Sequence, residues 1–448
     1  MYKVIKIMMS VLMFLVTGMS QLSIVSAADL SGEFKYGSET PYYIVSETGS
    51  HGSASNTLNY KLVKRTGSST WVKAFCMEPG KNLTDGVALT PSQYTKTRIA
   101  RLAYLGYYSQ QNAKNYINTQ ALIYEELGDK VSYVSTENYD TFKKNILAKY
   151  EKFDTKPVFN GSTIQVAAGK SVTITDTNKV LSDYKTFTVT QNGITLSHTK
   201  GQNTMTVTVS KSCTVAAQKF SDDVIKAAGG YKFDSRSDVN IYYKNSGQDI
   251  AVFGNVDAIT MNVTIDVEYS ALNISKVDEK GNAVKDVTFE VSYNSDMSSP
   301  IGTYTTNTNG MINITNLAPG KVYVREKSVP EYLVLDNSIH EVTLTVNQTA
   351  SCKIVNTIKK GRIVVTKKDS DSNKTVLKEG TEFEIYNSAN ELVETMKTNE
   401  KGEAVSSLLE YGTYSIKESK APAGYVLNLD KFNVNISRWS RLSCFNFR

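Results

Sequence analysis

The sequence predicts a mainly β, multidomain protein whose last part is two copies of one antiparallel β-sandwich module. Three observations lead to this prediction. The chain has 448 residues with 40% hydrophobic positions, which is enough for several buried cores. Short runs with apolar residues at alternate positions dominate it. An internal repeat occupies everything after about residue 270.

The N-terminus has the three parts of a secretory signal. Basic Lys3 and Lys6 are followed by an apolar stretch and then by the small residues Ser26, Ala27 and Ala28. A retained membrane anchor is the alternative, but the small residues and the immediate change to polar sequence favour cleavage. We therefore expect residues 1–28 to be a signal peptide and the protein to be exported.

Residues 29–270 are expected to form one α+β domain with a helical insert. Strand-like runs such as Trp71–Phe75 come first, and a helical period follows from Thr97 to about Lys152. From Ser162 to Tyr269 the alternation is β-like again. A division into two domains near residue 158 is the alternative.

The repeat gives two modules, at 271–359 and 360–448. Lys276-Val277-Asp278 recurs as Lys367-Lys368-Asp369. Four further positions recur with identical internal spacing: Gly310, Leu317, Gly320 and Glu326 become Gly402, Leu409, Gly412 and Glu418. Glycine and asparagine turns separate short alternating strands in each copy, as an antiparallel sandwich requires.

The first module contains the residues for an internal amide cross-link. Strand alternation could point Lys276 into the core, where an amine tends to lose its charge and become nucleophilic. A buried acid, Glu326, could polarise the carboxamide of Asn356 and relay the proton, with loss of ammonia. The alternative is that these residues are ordinary solvated charges, but the recurrence of both lysine and glutamate in register argues against it.

The second module keeps Lys367 and Glu418 but has no clear acceptor. Asn446 lies 79 residues after Lys367, against 80 residues between Lys276 and Asn356. It belongs to a tail, from Arg438 to Arg448, whose composition differs abruptly from the preceding sequence, so we suspect a truncated or frameshifted C-terminus. We therefore expect one bond in module 1 and leave the second acceptor open, with Asn446 as a weak candidate.

In the N-terminal domain, Cys76 stands at the end of an apolar strand and just before the turn Glu78-Pro79-Gly80. A support from the strand and partial exposure at the turn would suit a reactive thiol. The alternative is an inert, buried small hydrophobe, which is the usual state of a lone cysteine.

Two family resemblances extend this interpretation. The modules resemble the collagen-adhesin B-type, SpaA-like or prealbumin-like domains of Gram-positive surface proteins and pili, in which lysine and asparagine form an isopeptide bond. Phe75-Cys76 with Glu78, and Thr119-Gln120-Ala121, resemble motifs of the thioester domains at the tips of Gram-positive adhesins. That resemblance implies a bond from Cys76 to a glutamine on a late strand.

Gln248 fits the position of that glutamine, because it opens the apolar strand of Ile250-Ala251-Val252. Gln120 is the alternative partner, although its helical position suits a supporting hydrogen bond better. Thr119 and Gln120 are accordingly expected to support the thioester pocket.

Other function classes have little support. The cysteines, Cys76, Cys213, Cys352 and Cys444, are far apart, and the three histidines lie in unrelated contexts. We expect no metal, no cofactor and no enzymatic turnover. The net charge of +6 is modest, and no polybasic run indicates nucleic acid.

The leading hypothesis is a covalent adhesin that captures a lysine amine of a host surface or matrix protein and is displayed on a cross-linked stalk. A minor pilin or passive spacer with an inert Cys76 is the alternative. A cysteine-dependent enzyme is a third hypothesis, which the sparse histidines disfavour. No Leu-Pro-x-Thr-Gly sorting motif occurs, so we expect a cell-surface or cell-wall location for a full-length form and secretion if this C-terminus is genuine.

Overall fold

The fold was analysed in a computed structural model. The structure describes residues 32–47, 49–51, 58–65, 68–81, 88–234, 241–244, 247–254, 258–437 and 441–447. The expected signal peptide, 1–28, lies outside the described residues. In this part of the chain no helix is long and apolar enough to cross a membrane.

A closed β-barrel forms the N-terminal body, with the strand order β1-β4-β5-β15-β14-β6. Alternate residues of these strands, such as Phe34, Val63 and Ile250, fill its interior. A small sheet of order β3-β2-β7 lies beside it. The strands are β1 (Gly32–Glu39), β2 (Ile44–Ser46), β3 (Gly49–His51), β4 (Asn59–Arg65), β5 (Trp71–Cys76), β6 (Ala88–Gln93), β7 (Val131–Val134), β14 (Ile241–Lys244) and β15 (Ile250–Val252).

The helical insert predicted between Thr97 and Lys152 is confirmed. Its helices are α1 (Thr97–Ala103), which continues as a π-helix (Tyr104–Tyr108), α2 (Ala113–Glu126) and α3 (Tyr139–Glu151). The Asn112 side chain caps α2 by accepting a hydrogen bond from the Asn115 amide at 2.8 Å. The apolar face of α2 packs on the outside of β5, so that Phe75 stacks on Tyr116 with ring centroids 4.8 Å apart.

Residues 159–267 have a hydrophobic core of their own, with Leu196, Met205 and Ile265 completely buried in it. Two sheets enclose this core, with the orders β10-β11-β12-β9 and β13-β16-β8. The region that we expected to be one domain thus has separate cores on either side of residue 158, and the chain returns to the barrel through β14 and β15. The elements are β8 (Thr163–Ala167), β9 (Ser171–Thr175), a 3₁₀ turn (Leu181–Asp183), β10 (Phe187–Gln191), β11 (Ile194–His198), β12 (Thr204–Val209), β13 (Ala217–Phe220), α4 (Asp222–Ala227) and β16 (Val263–Glu268).

The first module is a two-sheet sandwich with the orders β20-β17-β23 and β19-β18-β21-β22. Its first and last strands, β17 and β23, run parallel, while the other pairs are antiparallel. The strands are β17 (Ser270–Asp278), β18 (Thr288–Ser292), β19 (Gly302–Thr305), β20 (Met311–Leu317), β21 (Gly320–Ser328), β22 (Ile339–Leu344) and β23 (Thr349–Asn356).

The second module repeats this plan. Its sheets have the orders β27-β24-β28, with β31 parallel to β24, and β26-β25-β29-β30. The strands are β24 (Lys360–Lys367), β25 (Glu382–Tyr386), β26 (Leu392–Lys397), β27 (Glu403–Val405), β28 (Leu409–Glu410), β29 (Gly412–Lys420), β30 (Lys431–Ile436) and β31 (Arg441–Phe447). Both modules are therefore the β-sandwiches that the sequence predicts.

Direct contacts join the two modules. The Lys280 ammonium lies 2.6 Å from the Glu410 carboxylate, and Lys360 lies 2.8 Å from Glu279. The Tyr411 amide also donates to the carbonyl of Lys359 at 2.7 Å. Because this backbone bond reinforces exposed ion pairs that are individually weak, the modules meet through a defined junction.

Candidate functional sites

The barrel brings Cys76 and Gln248 together although 172 residues separate them. Antiparallel pairing of β5 and β15 sets Ile250 opposite Cys76, and Gln248 lies two residues before Ile250. The Cys76 Sγ lies 3.1 Å from the Gln248 Oε1. Both residues are buried, with 4% and 2% of their surfaces exposed. The carbon that the sulfur would attack is one bond away from that oxygen.

The turn after β5 fixes the Gln248 carboxamide. Its Nε2 donates to the carbonyl of Glu78 at 2.9 Å, and the Asp249 amide donates to the Glu78 carboxylate at 3.0 Å. The Met77 amide donates to the carbonyl of Asp249 at 2.9 Å. Because the backbone carbonyl of Glu78 can only accept, it decides which end of the carboxamide is nitrogen and leaves the oxygen towards the sulfur.

Gln120 has a different position from Gln248. Its Oε1 accepts from the Cys76 amide at 2.8 Å, and its Nε2 donates to the Cys76 carbonyl at 2.9 Å. This pair of bonds ties α2 to the end of β5, with Gln120 completely buried. The geometry thus gives Gln120 the supporting place that its helix motif suggested, and it places Gln248 at the sulfur.

Thr119, the other expected supporting residue, acts through packing. It is completely buried, and its hydroxyl has no hydrogen-bond partner among the described residues. Gly106 of the π-helix lies against it so closely that a Cβ at this position would overlap the threonine hydroxyl. The missing side chain of Gly106 therefore lets the π-helix approach α2 next to Gln120.

The surroundings keep Cys76 in its neutral form. Burial raises the pKa of the Cys76 thiol, and contributions from Lys61, Tyr124 and Gln248 only partly offset this. No group of three metal-binding side chains occurs in the part of the chain that the structure describes. The site is therefore a buried thiol held against a carboxamide, which suits a single acyl transfer better than turnover.

Sequence reasoning missed two tyrosines of α2 that complete this site. The Tyr116 hydroxyl donates to the carbonyl of Ala74 at 2.6 Å and accepts from the Lys61 amide at 3.1 Å. Tyr124 is buried and interacts with both Cys76 and Gln248. The available signal was helical spacing, because Tyr116 and Tyr124 lie four residues before and after Gln120 and so share its face.

In module 1 the three expected residues are all buried at one place. Lys276 is completely buried, and Glu326 and Asn356 are 3% and 2% exposed. The parallel register of β17 and β23 sets Asn356 opposite Asp278, two residues beyond Lys276 and therefore on the same face. The structure thus brings Lys276, Glu326 and Asn356 together in the core.

The glutamate lies between the amine and the carboxamide. Glu326 Oε1 is 4.0 Å from the Lys276 Nζ, and Glu326 Oε2 accepts from the Asn356 Nδ2 at 2.7 Å. The Asn356 Nδ2 also donates to the carbonyl of Val334 at 2.8 Å, which fixes the orientation of the amide. The nitrogen that would leave as ammonia is therefore the one that contacts the acid.

Burial also prepares the nucleophile. Desolvation lowers the pKa of the Lys276 amine, against the opposing influence of Glu326, Asp278 and Asp336. The amine donates to the carbonyl of Val277 at 2.7 Å. A buried amine with a lowered pKa can lose its proton and attack a neighbouring carbonyl carbon.

Module 2 has the same lysine and acid but a different arrangement. Lys367 and Glu418 are 2% and 0% exposed, and the Lys367 Nζ donates directly to Glu418 Oε2 at 2.8 Å. In module 1 the corresponding distance is longer because Asn356 occupies the second carboxylate oxygen. The pair in module 2 is therefore an ordinary buried ion pair.

The backbone register does not set Asn446 at the acceptor position. Asn446 is paired with Thr366, whereas Asn356 is paired with Asp278, the counterpart of Asp369. Asn446 thus falls three positions short along the first strand. The near match of the two sequence intervals, 79 and 80 residues, does not translate into an equivalent place.

The comparisons with known proteins agree with this division. Residues 270–358 and 361–443 match the family model of the SpaA prealbumin-like fold domain. The trypsin-resistant surface T6 protein of Streptococcus pyogenes serotype M6 is 38% identical over 73 residues, and this match spans 16% of our chain and 13% of that relative.

Two solved structures resemble larger parts of the chain. The Bacillus anthracis TIE protein has a TM-score of 0.40 and 19% identity over 93% of this chain and 82% of that one. The thioester domain of the Staphylococcus aureus TIE protein has a TM-score of 0.36 and 21% identity over 53% of this chain and 98% of that one. Because both TM-scores are below 0.5, the interpretation of the N-terminal region depends on its own geometry. Residues 270–358 and 361–443 are two SpaA-type prealbumin-like domains, and the chain as a whole resembles Gram-positive thioester-domain adhesins that carry such domains.

Proposed function

We propose that the protein is a bacterial surface adhesin that captures a host-protein amine covalently through a Cys76–Gln248 thioester. The observation that carries this proposal is the 3.1 Å distance between the Cys76 sulfur and the Gln248 carbonyl oxygen inside a buried, pre-oriented site. The sulfur attacks the carboxamide carbon, the carbon–nitrogen bond breaks, and the thiol proton leaves with the nitrogen as ammonia. The product is an activated acyl group.

Capture reverses the roles of the groups. The neutral amine of a target lysine attacks the same carbonyl carbon, an amide forms, and the sulfur leaves and regains a proton as the Cys76 thiol. Because the target stays attached, the reaction happens once per molecule and is not enzymatic turnover. It requires no metal or cofactor.

The two modules form the stalk in this proposal. In module 1 the Lys276 amine attacks the Asn356 carboxamide, while Glu326 transfers a proton from the amine to the leaving nitrogen, so that ammonia is lost and an isopeptide bond remains. Lys367 and Glu418 form no such bond with Asn446. We propose an exported protein at the cell surface, with cell-wall attachment in a full-length form and a surface or matrix protein of the host as the partner.

Intact mass tests this function. The wild type should lack two ammonia equivalents, one for the thioester and one for module 1, and C76A should regain one of them. Methylamine should add to the wild type but not to C76A or Q248A. Equal ammonia losses in the wild type and in C76A would refute the covalent adhesin.

One observation favours a second function. Cys76 and Gln248 are almost completely buried, as an inert core pair would be. The protein would then be a minor pilin or passive spacer. That alternative predicts no methylamine uptake by the wild type, while the mass still shows the ammonia loss of module 1.

A further inference from the structure

A cavity of about 230 Å³ lies beside the Cys76–Gln248 pair. It is lined by Met77, Ser92, Tyr94, Thr95, Lys96, Leu127 and Tyr242. Four of these residues, Met77, Tyr94, Leu127 and Tyr242, pack in the same apolar cluster as Cys76. The cavity therefore shares a wall with the site, and its other side consists of exposed polar residues.

Two tyrosines form the aromatic wall of this cavity. The rings of Tyr94 and Tyr242 are stacked, with centroids 5.9 Å apart and planes inclined by 22°. The Tyr242 hydroxyl donates to the carboxylate of Asp249, which directly follows Gln248. The orientation of this wall is thus set by the same turn that holds the Gln248 carboxamide.

The Tyr94 hydroxyl is buried and has no hydrogen-bond partner among the described residues. A buried polar group without a partner is costly, so its presence at a cavity indicates a partner that a ligand supplies. Burial raises the pKa of Tyr94 to about 12, so the phenol is neutral at physiological pH and can accept a hydrogen bond from an amine.

The charges near the cavity also suit an amine. Glu78 and Asp249 flank Gln248, and the Glu78 carboxylate is 30% exposed. Burial alone would raise the pKa of Glu78, but hydrogen bonds from Lys81 and from the Asp249 amide outweigh it and lower the pKa. A negative charge therefore persists next to the carbonyl that an incoming amine must reach.

We infer that this cavity is the acyl-acceptor subsite of the thioester and that it binds a primary amine on an unbranched aliphatic stem, the chemistry of a lysine side chain. The inference rests on the proposed function. The methylene stem lies against the rings of Tyr94 and Tyr242, and the amine reaches Gln248 past Met77, whose unbranched side chain can change rotamer at small cost. A small amine without a stem gains none of this contact.

The test compares two amines on the full chain by intact-mass kinetics. The probes are Nα-acetyl-lysine N-methylamide, which carries the stem, and methylamine, which does not. Burial of two or three methylene groups against the rings should make the lysine probe react at least about tenfold faster than methylamine. Tyr94→Ala should lose most of this preference, while its reaction with methylamine stays close to that of the wild type.

Tyr133→Ala is the matched control, because Tyr133 is 53% exposed on β7 and does not line the cavity. It should keep the preference of the wild type. If the wild type reacts with methylamine but shows no preference for the lysine probe, or if Tyr94→Ala keeps the preference, the subsite is refuted while the thioester stands. If the wild type has no thioester by mass, the proposed function itself fails.

Discussion

Replacing Lys276 by methionine tests the cross-link of module 1 with little change in packing, because methionine keeps an unbranched side chain in the core and removes only the amine. The bond would join residues 80 positions apart. By the loop-closure relation used for disulfides, a tie over this length stabilises the folded module by about 4.5 kcal/mol. For a domain of this size that corresponds to a fall of roughly 20–35 °C in the unfolding temperature of module 1.

Two measurements on K276M decide this prediction. Intact mass should show that the variant regains one ammonia equivalent, and calorimetry should show the lower transition temperature. Lys353→Met is the control, since Lys353 lies on the neighbouring strand β23 with an exposed side chain. If K276M and K353M have the same ammonia count, or if their transitions differ by only a few degrees, our reading of Lys276, Glu326 and Asn356 as a reactive set is wrong.

Three further variants probe the buried groups. Glu418→Gln should leave the Lys367 amine buried without its counter-charge and destabilise module 2 by about 3 kcal/mol, with no change in ammonia count. Gly106→Ala should force the π-helix away from Thr119, cost about 1–3 kcal/mol and slow thioester formation as followed by mass. Burial lowers the pKa of Lys232 from 10.5 to about 8, so the unfolded chain holds a proton that the folded chain has released between these values. Stability should therefore rise on the order of 3 kcal/mol as pH increases through this window, and Lys232→Met should remove that rise in denaturant titrations.

Each variant has a contradicting result. An ammonia loss that appears in module 2 of the wild type and vanishes in E418Q would show a second bond after all. A G106A variant with wild-type stability would mean that α2 and the π-helix can separate without strain. Parallel pH curves for the wild type and K232M would show that the amine keeps its proton in the folded state, with the carbonyls of Lys152 and Thr155 as sufficient partners at 3.0 and 2.8 Å.

The repeats were predictable because their information is local and occurs twice. Alternation along β17 indicated which face Lys276 occupies, and recurrence of the lysine and glutamate in register separated a built site from scattered charges. Distance along the chain was a poorer guide. Asn446 has nearly the right interval from Lys367, but the strand register, which includes an irregularity between Ile363 and Val364, sets it opposite Thr366.

The N-terminal region was harder to predict because its contacts are non-local. Periodicity indicated the strands and the helical insert, but not that 159–267 would have a separate core or that the chain would return to the barrel afterwards. Gln248 could be proposed only through a family resemblance, since nothing within a few residues of it indicates a neighbour near residue 76. Glu78, Tyr124 and Tyr242 became assignable to the site only when the turn, the helix and β14 were seen together.

The parallel pairing of β17 with β23 also determines when module 1 can react. These are its first and last strands, so the Lys276 amine waits for a residue that leaves the ribosome and the export channel 80 positions later. Before that strand docks, Lys276 is solvated and positively charged and cannot attack. The amide would thus be a chemical record that the module has finished folding outside the cell. A chain that had acquired it earlier would contain a closed covalent ring and could no longer be threaded through a channel as a single strand.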